Sequence, residues 1–181
     1  MGHRAYRFNV PFSSLAHQRR ARYHDPNIEP FASSVRREAT GLDLTRPISR
    51  ADACEINAAM NRYGVLVWRG QPLTAQQQIQ FATAFGPLDI GLKRAFRRPE
   101  RLEDERLIDI SNVAPDGTVQ RPDSSKNLSN FANQLWHSDS SFMNPRAAYS
   151  MLHAVVTPSW GGDTEFADLR AAYDTLDPGC F

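Results

Sequence analysis

Only two cysteines, Cys54 and Cys180, occur in the 181 residues. Two are too few for a disulfide framework, and a reducing compartment, the cytoplasm, is the natural setting. No apolar run approaches the ~20 residues that a membrane-spanning helix needs. An excess of one charge is missing too. Twenty-one Lys and Arg stand against 20 Asp and Glu, a net charge of +1, which argues against a general nucleic-acid-binding surface. Acidic residues are absent from the first 24 positions, which carry Arg4, Arg7, Arg19, Arg20, Arg22 and the histidines His3, His17 and His24. Such composition can mark an organelle transit peptide. Here the amphipathic period is weak and Pro11 interrupts it, so the segment reads as a disordered basic extension. Internal repeats and low-complexity tracts are absent.

What is present suffices for one globular domain, with 41% hydrophobic residues. Residues 1–30 read as a polar arm interrupted by Pro26 and Pro30; order is expected from Phe31, giving a domain over 31–181. Ser33 to Leu44 resembles an extended pair closed by Gly41. Ser49 is a candidate N-cap with Asp52 in the first turn, and the helix after it places Ala51, Cys54, Ala58 and Ala59 on one face. Cys54 then reads as a small core residue. Tyr63-Gly64 ends that helix, and Val65–Trp68 is an apolar run typical of a buried strand. Thr74 caps a second helix that turns Ile79, Ala82 and Phe85 inward and closes at Gly86-Pro87. Gly91 to Arg106 reads as a charged loop, Leu107–Ile110 as a strand, Pro115–Thr118 as a turn and 120–130 as a polar connection. Tyr149–Val156 is a strand, and Leu169, Tyr173 and Leu176 share a helical face.

Two motifs carry chemistry. The first is Trp136-His137-Ser138-Asp139. On an extended strand His137 and Asp139 point to the same side, where an imidazole nitrogen and a carboxylate oxygen can chelate one metal ion. The second is Gly161-Gly162-Asp163-Thr164-Glu165-Phe166. His-x-Asp by itself recurs by chance, so the flanks decide. Asn130 to Phe142 around the pair, Tyr149-Ser150-Met151-Leu152, Gly161 to Asp168 and Arg170-Ala171-Ala172-Tyr173 together resemble the TauD/TfdA family of α-ketoglutarate-dependent dioxygenases. The phenoxyacetate-degrading, TfdA-type branch is the most similar. Gly64 to Leu73 and Phe85-Gly86-Pro87-Leu88 fit as well, so the resemblance runs from about Phe31 to Asp177.

The resemblance implies an α+β, mainly β fold: an incomplete double-stranded β-helix, or jelly roll of the clavaminate synthase type, with flanking helices. It implies Fe(II) held by His137 and Asp139, with α-ketoglutarate as cosubstrate and O2 as oxidant. No catalytic side chain is expected beyond the metal ligands. Thr164 matches the position whose hydroxyl bonds the distal carboxylate of α-ketoglutarate. The cosubstrate is decarboxylated to succinate and carbon dioxide while a substrate C–H is hydroxylated. From an aryloxyacetate the product is a hemiacetal that collapses to a phenol and glyoxylate. The substrate is a small organic anion, for which Arg94, Lys93 and Asn112 are candidate pocket residues, with Arg121 a weaker one. Thr118 stands where the branch pattern suggests a lysine. Trp136 is expected against the barrel wall, Glu165 and Asp168 at the start of the last helix, and His153 in a structural or solvent-facing role. Nucleic-acid and membrane partners are not expected, and a homo-oligomer stays open.

The family's third ligand, a histidine, and its carboxylate-binding arginine find no match before Phe181. Pro178-Gly179-Cys180-Phe181 also departs from the family pattern. The chain is therefore expected to be a dioxygenase domain truncated before those residues. The alternatives are a catalytically inactive fragment or partner-dependent module, and a sulfonate (taurine-like) dioxygenase.

Overall fold

The computed structural model describes residues 4–11, 28–30, 36–89, 102, 104–124, 127, 135–174, 176, 177 and 179. Contacts divide the chain into two compact units. The first comprises Met1–Gln18, Leu44–Ile48 and Pro72–Gly162; the second comprises Arg19–Asp43, Ser49–Gln71 and Asp163–Phe181. Among the described residues no helix is long and apolar enough to cross a membrane.

In the first unit, β1 (Arg4–Pro11) lies between β5 (Ile108–Ser111) and β6 (Ala147–Val156), antiparallel to both. Strand side chains alternate between faces, and burial follows. Leu107, Asp109 and Ser111 are buried, whereas Ile108 and Ile110 are half-buried. On β6, Tyr149, Met151 and His153 are half-buried, whereas Ser150, Leu152 and Ala154 are exposed. One face is covered by α2 (Ala75–Thr83), whose N-cap Thr74 forms a reciprocal capping box with Gln77. Its buried Ile79 and Ala82 meet Leu107, with Met151, Leu88 and Leu102 packed around them. Phe85 meets Phe81 and Tyr149 edge-on, at ring distances of 5.3 and 5.8 Å. Burial there pushes the Tyr149 phenol up to about 12.

In the second unit, β2 (Ile28–Pro30) and β3 (Arg36–Ala39) are antiparallel, and β4 (Val65–Val67) is parallel to β3. A parallel neighbour needs a crossover, supplied by α1 (Arg50–Tyr63). Ser49 is the N-cap, as expected, and with Asp52 it closes a reciprocal capping box. Helix α1 ends at Gly64, whose φ of 76° suits glycine and whose N–H donates to the Met60 carbonyl at 2.8 Å.

Here α3 (Leu169–Asp174) begins at Asp168, which accepts the Arg170 backbone N–H at 2.9 Å. The Arg170 guanidinium grips both Asp168 oxygens, at 2.9 and 2.8 Å, and donates to the Asn61 carbonyl near the end of α1 at 2.6 Å. One planar fork thus ties the start of α3 to the end of α1. A side chain at Gly64 would stand 3.3 Å from the same guanidinium.

Several expectations need correction. Strand structure occurs at Arg4–Pro11 and Ile28–Pro30, where a disordered arm was expected. Tyr6, Phe8 and Val10 recur with period two, a strand signal obscured by the basic composition around them. Positions 12–27 of the expected arm lie outside the described residues. Strand β3 pairs with β2 and β4 and does not fold back on itself at Gly41. Helix α1 buries Ala53, Ile56, Asn57 and Ala59, so its inner face is rotated from the expected one, and Cys54 is exposed. Leu169, Tyr173 and Leu176 are exposed and form no buried face.

Two outcomes follow. Leu107→Ala should cost about 2–5 kcal/mol in urea unfolding, because its side chain is wholly buried. Leu152→Ala, on the open face, should cost about 0.5 kcal/mol or less. The second concerns Asp168, whose hydrogen bonds from the Arg170 side chain, then from its backbone, lower its carboxyl to about 2 from 3.8. A carboxyl lowered by folding holds its partner above its ordinary value and lets go as pH falls through the folded one. The Arg170 amide resonance should therefore shift with a midpoint at about 2; a midpoint near 3.8 would mean the clamp does not form.

Candidate metal centre

The segment from Leu135 to Arg146 leads into β6 without forming a strand of its own. His137 lies in irregular backbone and Asp139 in a turn, where a shared strand was expected. After it Ser140 adopts φ 52°, unusual for a residue with a side chain, and its carbonyl accepts the Met143 N–H at 3.1 Å. The two side chains converge even so: His137 Nε2 lies 3.3 Å from Asp139 Oδ1. The turn, rather than strand alternation, brings the two side chains together.

Each of the two side chains is bonded at the atom that faces away from the other. His137 Nδ1 lies 2.6 Å from the Leu135 carbonyl. A carbonyl only accepts, so Nδ1 carries a proton; in the neutral ring that leaves the Nε2 lone pair for a metal ion. Asp139 Oδ2 accepts a 2.7 Å hydrogen bond from Ser150 Oγ. Nothing in the sequence motif singled out Ser150; the available signal is its place at an outward position of β6, opposite in direction to Tyr149 and Met151.

The donors suit a divalent ion. Two neighbouring donors about 2.1 Å from an octahedral ion lie roughly 3 Å apart, close to the separation here. Neutral imidazole and carboxylate are the donor types of non-haem Fe(II) sites. Both side chains remain accessible, with 43% and 24% exposure. Among the described residues no group of three or more His, Cys, Asp or Glu could hold a metal ion, so the pair supplies only part of a coordination shell.

The other candidates separate. Thr164 is exposed, in the irregular stretch between Gly162 and α3, and belongs to the second unit. Asp168 does cap α3, while Glu165 stands exposed before it. Asn112 follows β5; its carbonyl accepts the Gln120 N–H at 2.8 Å, and its side-chain Oδ1 is buried without a hydrogen bond. Arg121 forks onto Asp123 on the surface, and Thr118 bonds Asp116. Lys93 and Arg94 lie outside the described residues. His153 has the alternation of Met151 and so faces away from the Ser150 side. Trp136, expected against the barrel wall, is 70% exposed among the described residues. Leu135 and Phe142 are exposed beside it in sequence.

The family model for taurine catabolism dioxygenase TauD, TfdA family, matches residues 27–180. An alpha-ketoglutarate-dependent 2,4-dichlorophenoxyacetate dioxygenase of Cupriavidus pinatubonensis is 53% identical over 120 residues, covering 66% of this chain and 42% of that protein. An (S)-phenoxypropionate/alpha-ketoglutarate-dioxygenase of Sphingobium herbicidovorans is 35% identical over 153 residues, covering 83% and 48%. A crystal structure of AAD-2 in complex with Mn(II) and N-oxalylglycine superposes with a TM-score of 0.69 at 38% identity, covering 84% of this chain and 51% of that one. The chain thus spans about half the length of the relatives it matches.

If His137 and Asp139 chelate a metal, His137→Ala and Asp139→Ala should each weaken Mn(II) binding by more than about 100-fold. Electron paramagnetic resonance of free Mn(II) during titration measures this. Two variants that bind like the parent would refute the ligand assignment.

Proposed function

Because the chain belongs to the taurine catabolism dioxygenase TauD, TfdA family, we propose that it carries the metal-holding part of an Fe(II)- and α-ketoglutarate-dependent dioxygenase for a small aryloxy acid. The observation that carries this reading is the 3.3 Å approach of His137 Nε2 to Asp139 Oδ1, each held from behind. The aryloxy substrate is suggested by relatives named for 2,4-dichlorophenoxyacetate and phenoxypropionate. Fe(II), when bound, supplies the oxidation chemistry by which O2 and α-ketoglutarate hydroxylate a C–H bond.

In this reading the chain's own residues hold and orient. His137 and Asp139 offer one nitrogen and one oxygen to the same ion and leave the rest of its shell to cosubstrate, oxygen and further donors. The Thr164 hydroxyl donates to the distal carboxylate of α-ketoglutarate. The Arg170 clamp, two residues beyond Asp168, anchors the stretch on which Thr164 stands. Asn112 and the basic Lys93 and Arg94 are the residues proposed to receive the substrate's acid group, with cations suited to a carboxylate. The cytoplasm suits a chain with so little cysteine.

A second reading is favoured by one observation. Among the described residues no third His, Cys, Asp or Glu joins the pair; in this reading a second polypeptide completes the shell.

The test is Fe(II)-dependent succinate release from α-ketoglutarate by the purified chain, with phenoxyacetate, with taurine and with neither. Release that requires phenoxyacetate is the expected result. Release driven by taurine alone would move the substrate class to sulfonates. Tight Mn(II) binding without turnover would favour the partner-dependent module.

A further inference from the structure

On the reading that His137 and Asp139 hold the metal, we propose that Ser150 is the positioning residue of the site: its hydroxyl sets the plane of the Asp139 carboxylate. The turn that carries Asp139 does not belong to either sheet, so no strand pairing fixes the plane of its carboxylate. Rotation would carry Oδ1 away from His137 Nε2. The 2.7 Å bond from Ser150 Oγ to Oδ2 opposes that rotation, and a hydroxyl bonded to a carboxylate makes a strong, short contact.

The other end of the bond is fixed. Ser150 stands within β6, in register with Asn9 of β1. Its neighbours Tyr149 and Met151 are held on the opposite side by Phe85 and by the cluster of Ile79, Ala82 and Leu107. Packing of one face of the strand therefore dictates where the Ser150 hydroxyl stands on the other. The Leu135 carbonyl acts on His137 Nδ1 in the same sense, so both ligands are tied at their outward atoms. Groups that hold ligands in this way typically contribute 10–100-fold to metal affinity.

The alternative is an ordinary surface hydrogen bond that contributes a little to folding and nothing to the metal. Affinity and metal-free stability separate the two. Mn(II), with N-oxalylglycine present, is titrated into the full chain and into Ser150→Ala, Ser150→Thr and Ser150→Val, and the metal-free thermal midpoint of each is recorded. Thr and Val have the same shape and differ in the hydroxyl, so that pair decides the question even if Ala disturbs the strand. The expected result is a loss of about 10-fold or more in Mn(II) affinity for Ala and Val, parent-like affinity for Thr, and matched midpoints for Thr and Val. Equal affinity in Thr and Val would overturn the inference while leaving the ligand assignment in place. So would a loss of affinity that merely tracks a lowered midpoint. A parent that binds no Mn(II) would overturn the ligand assignment, and this inference with it.

Discussion

Everything at the candidate site follows from how β6 is forced to face. Ile79 and Ala82 of α2 close over Leu107 and Met151, and Phe85 holds Tyr149 edge-on. These contacts bury apolar surface, the largest favourable contribution to folding. With Tyr149 and Met151 committed to that layer, the period of two leaves Ser150, Leu152 and Ala154 no choice but the opposite face. The Asp139 carboxylate is met there, by a hydroxyl whose position is set on the far side of the sheet. A change in the register of β6 by one residue would exchange the two faces and remove that hydroxyl.

The second unit is organised by an electrostatic fork. Arg170 engages Asp168 twice and the Asn61 carbonyl once, and Gly64 leaves room where a side chain would crowd the guanidinium. The motif following Gly161-Gly162 is thereby tied to a helix more than 100 residues earlier in the chain. The two sheets, the β3–α1–β4 crossover and the covering helix α2 make up part of the family's jelly roll with flanking helices.

Several large apolar side chains are exposed. Leu152, Val155 and Val156 are exposed on β6, as are Trp136, Phe142 and Trp160 near it in sequence. Apolar residues scattered singly over a surface are ordinary, and a contiguous patch would mark an interface or binding site. The chain spans about half the length of the relatives it matches.

Much was legible in the sequence because it depends on neighbours along the chain. The caps at Ser49 and Thr74, the end of α1 at Gly64, the turn at Pro115–Thr118 and the strand over Tyr149–Val156 are local events, and their residue types signal them directly. Helix α2 stops at Thr83, short of the expected close at Gly86-Pro87. Family membership and the identity of His137 and Asp139 came from motif residues and their flanks. What the sequence could not give depends on contacts between distant segments. The buried face of α1 was misjudged at Cys54, because a string of alanines does not distinguish one side of a helix from another until a neighbour covers it. The strand at Arg4–Pro11 was missed, because it forms through pairing with β5 and β6, over 95 positions away. Likewise, His137 and Asp139 were named by the sequence as a pair, but their convergence through a turn, and the Ser150 hydroxyl that meets Asp139, were decided by tertiary packing, since only the burial of one face of β6 fixes what its other face presents.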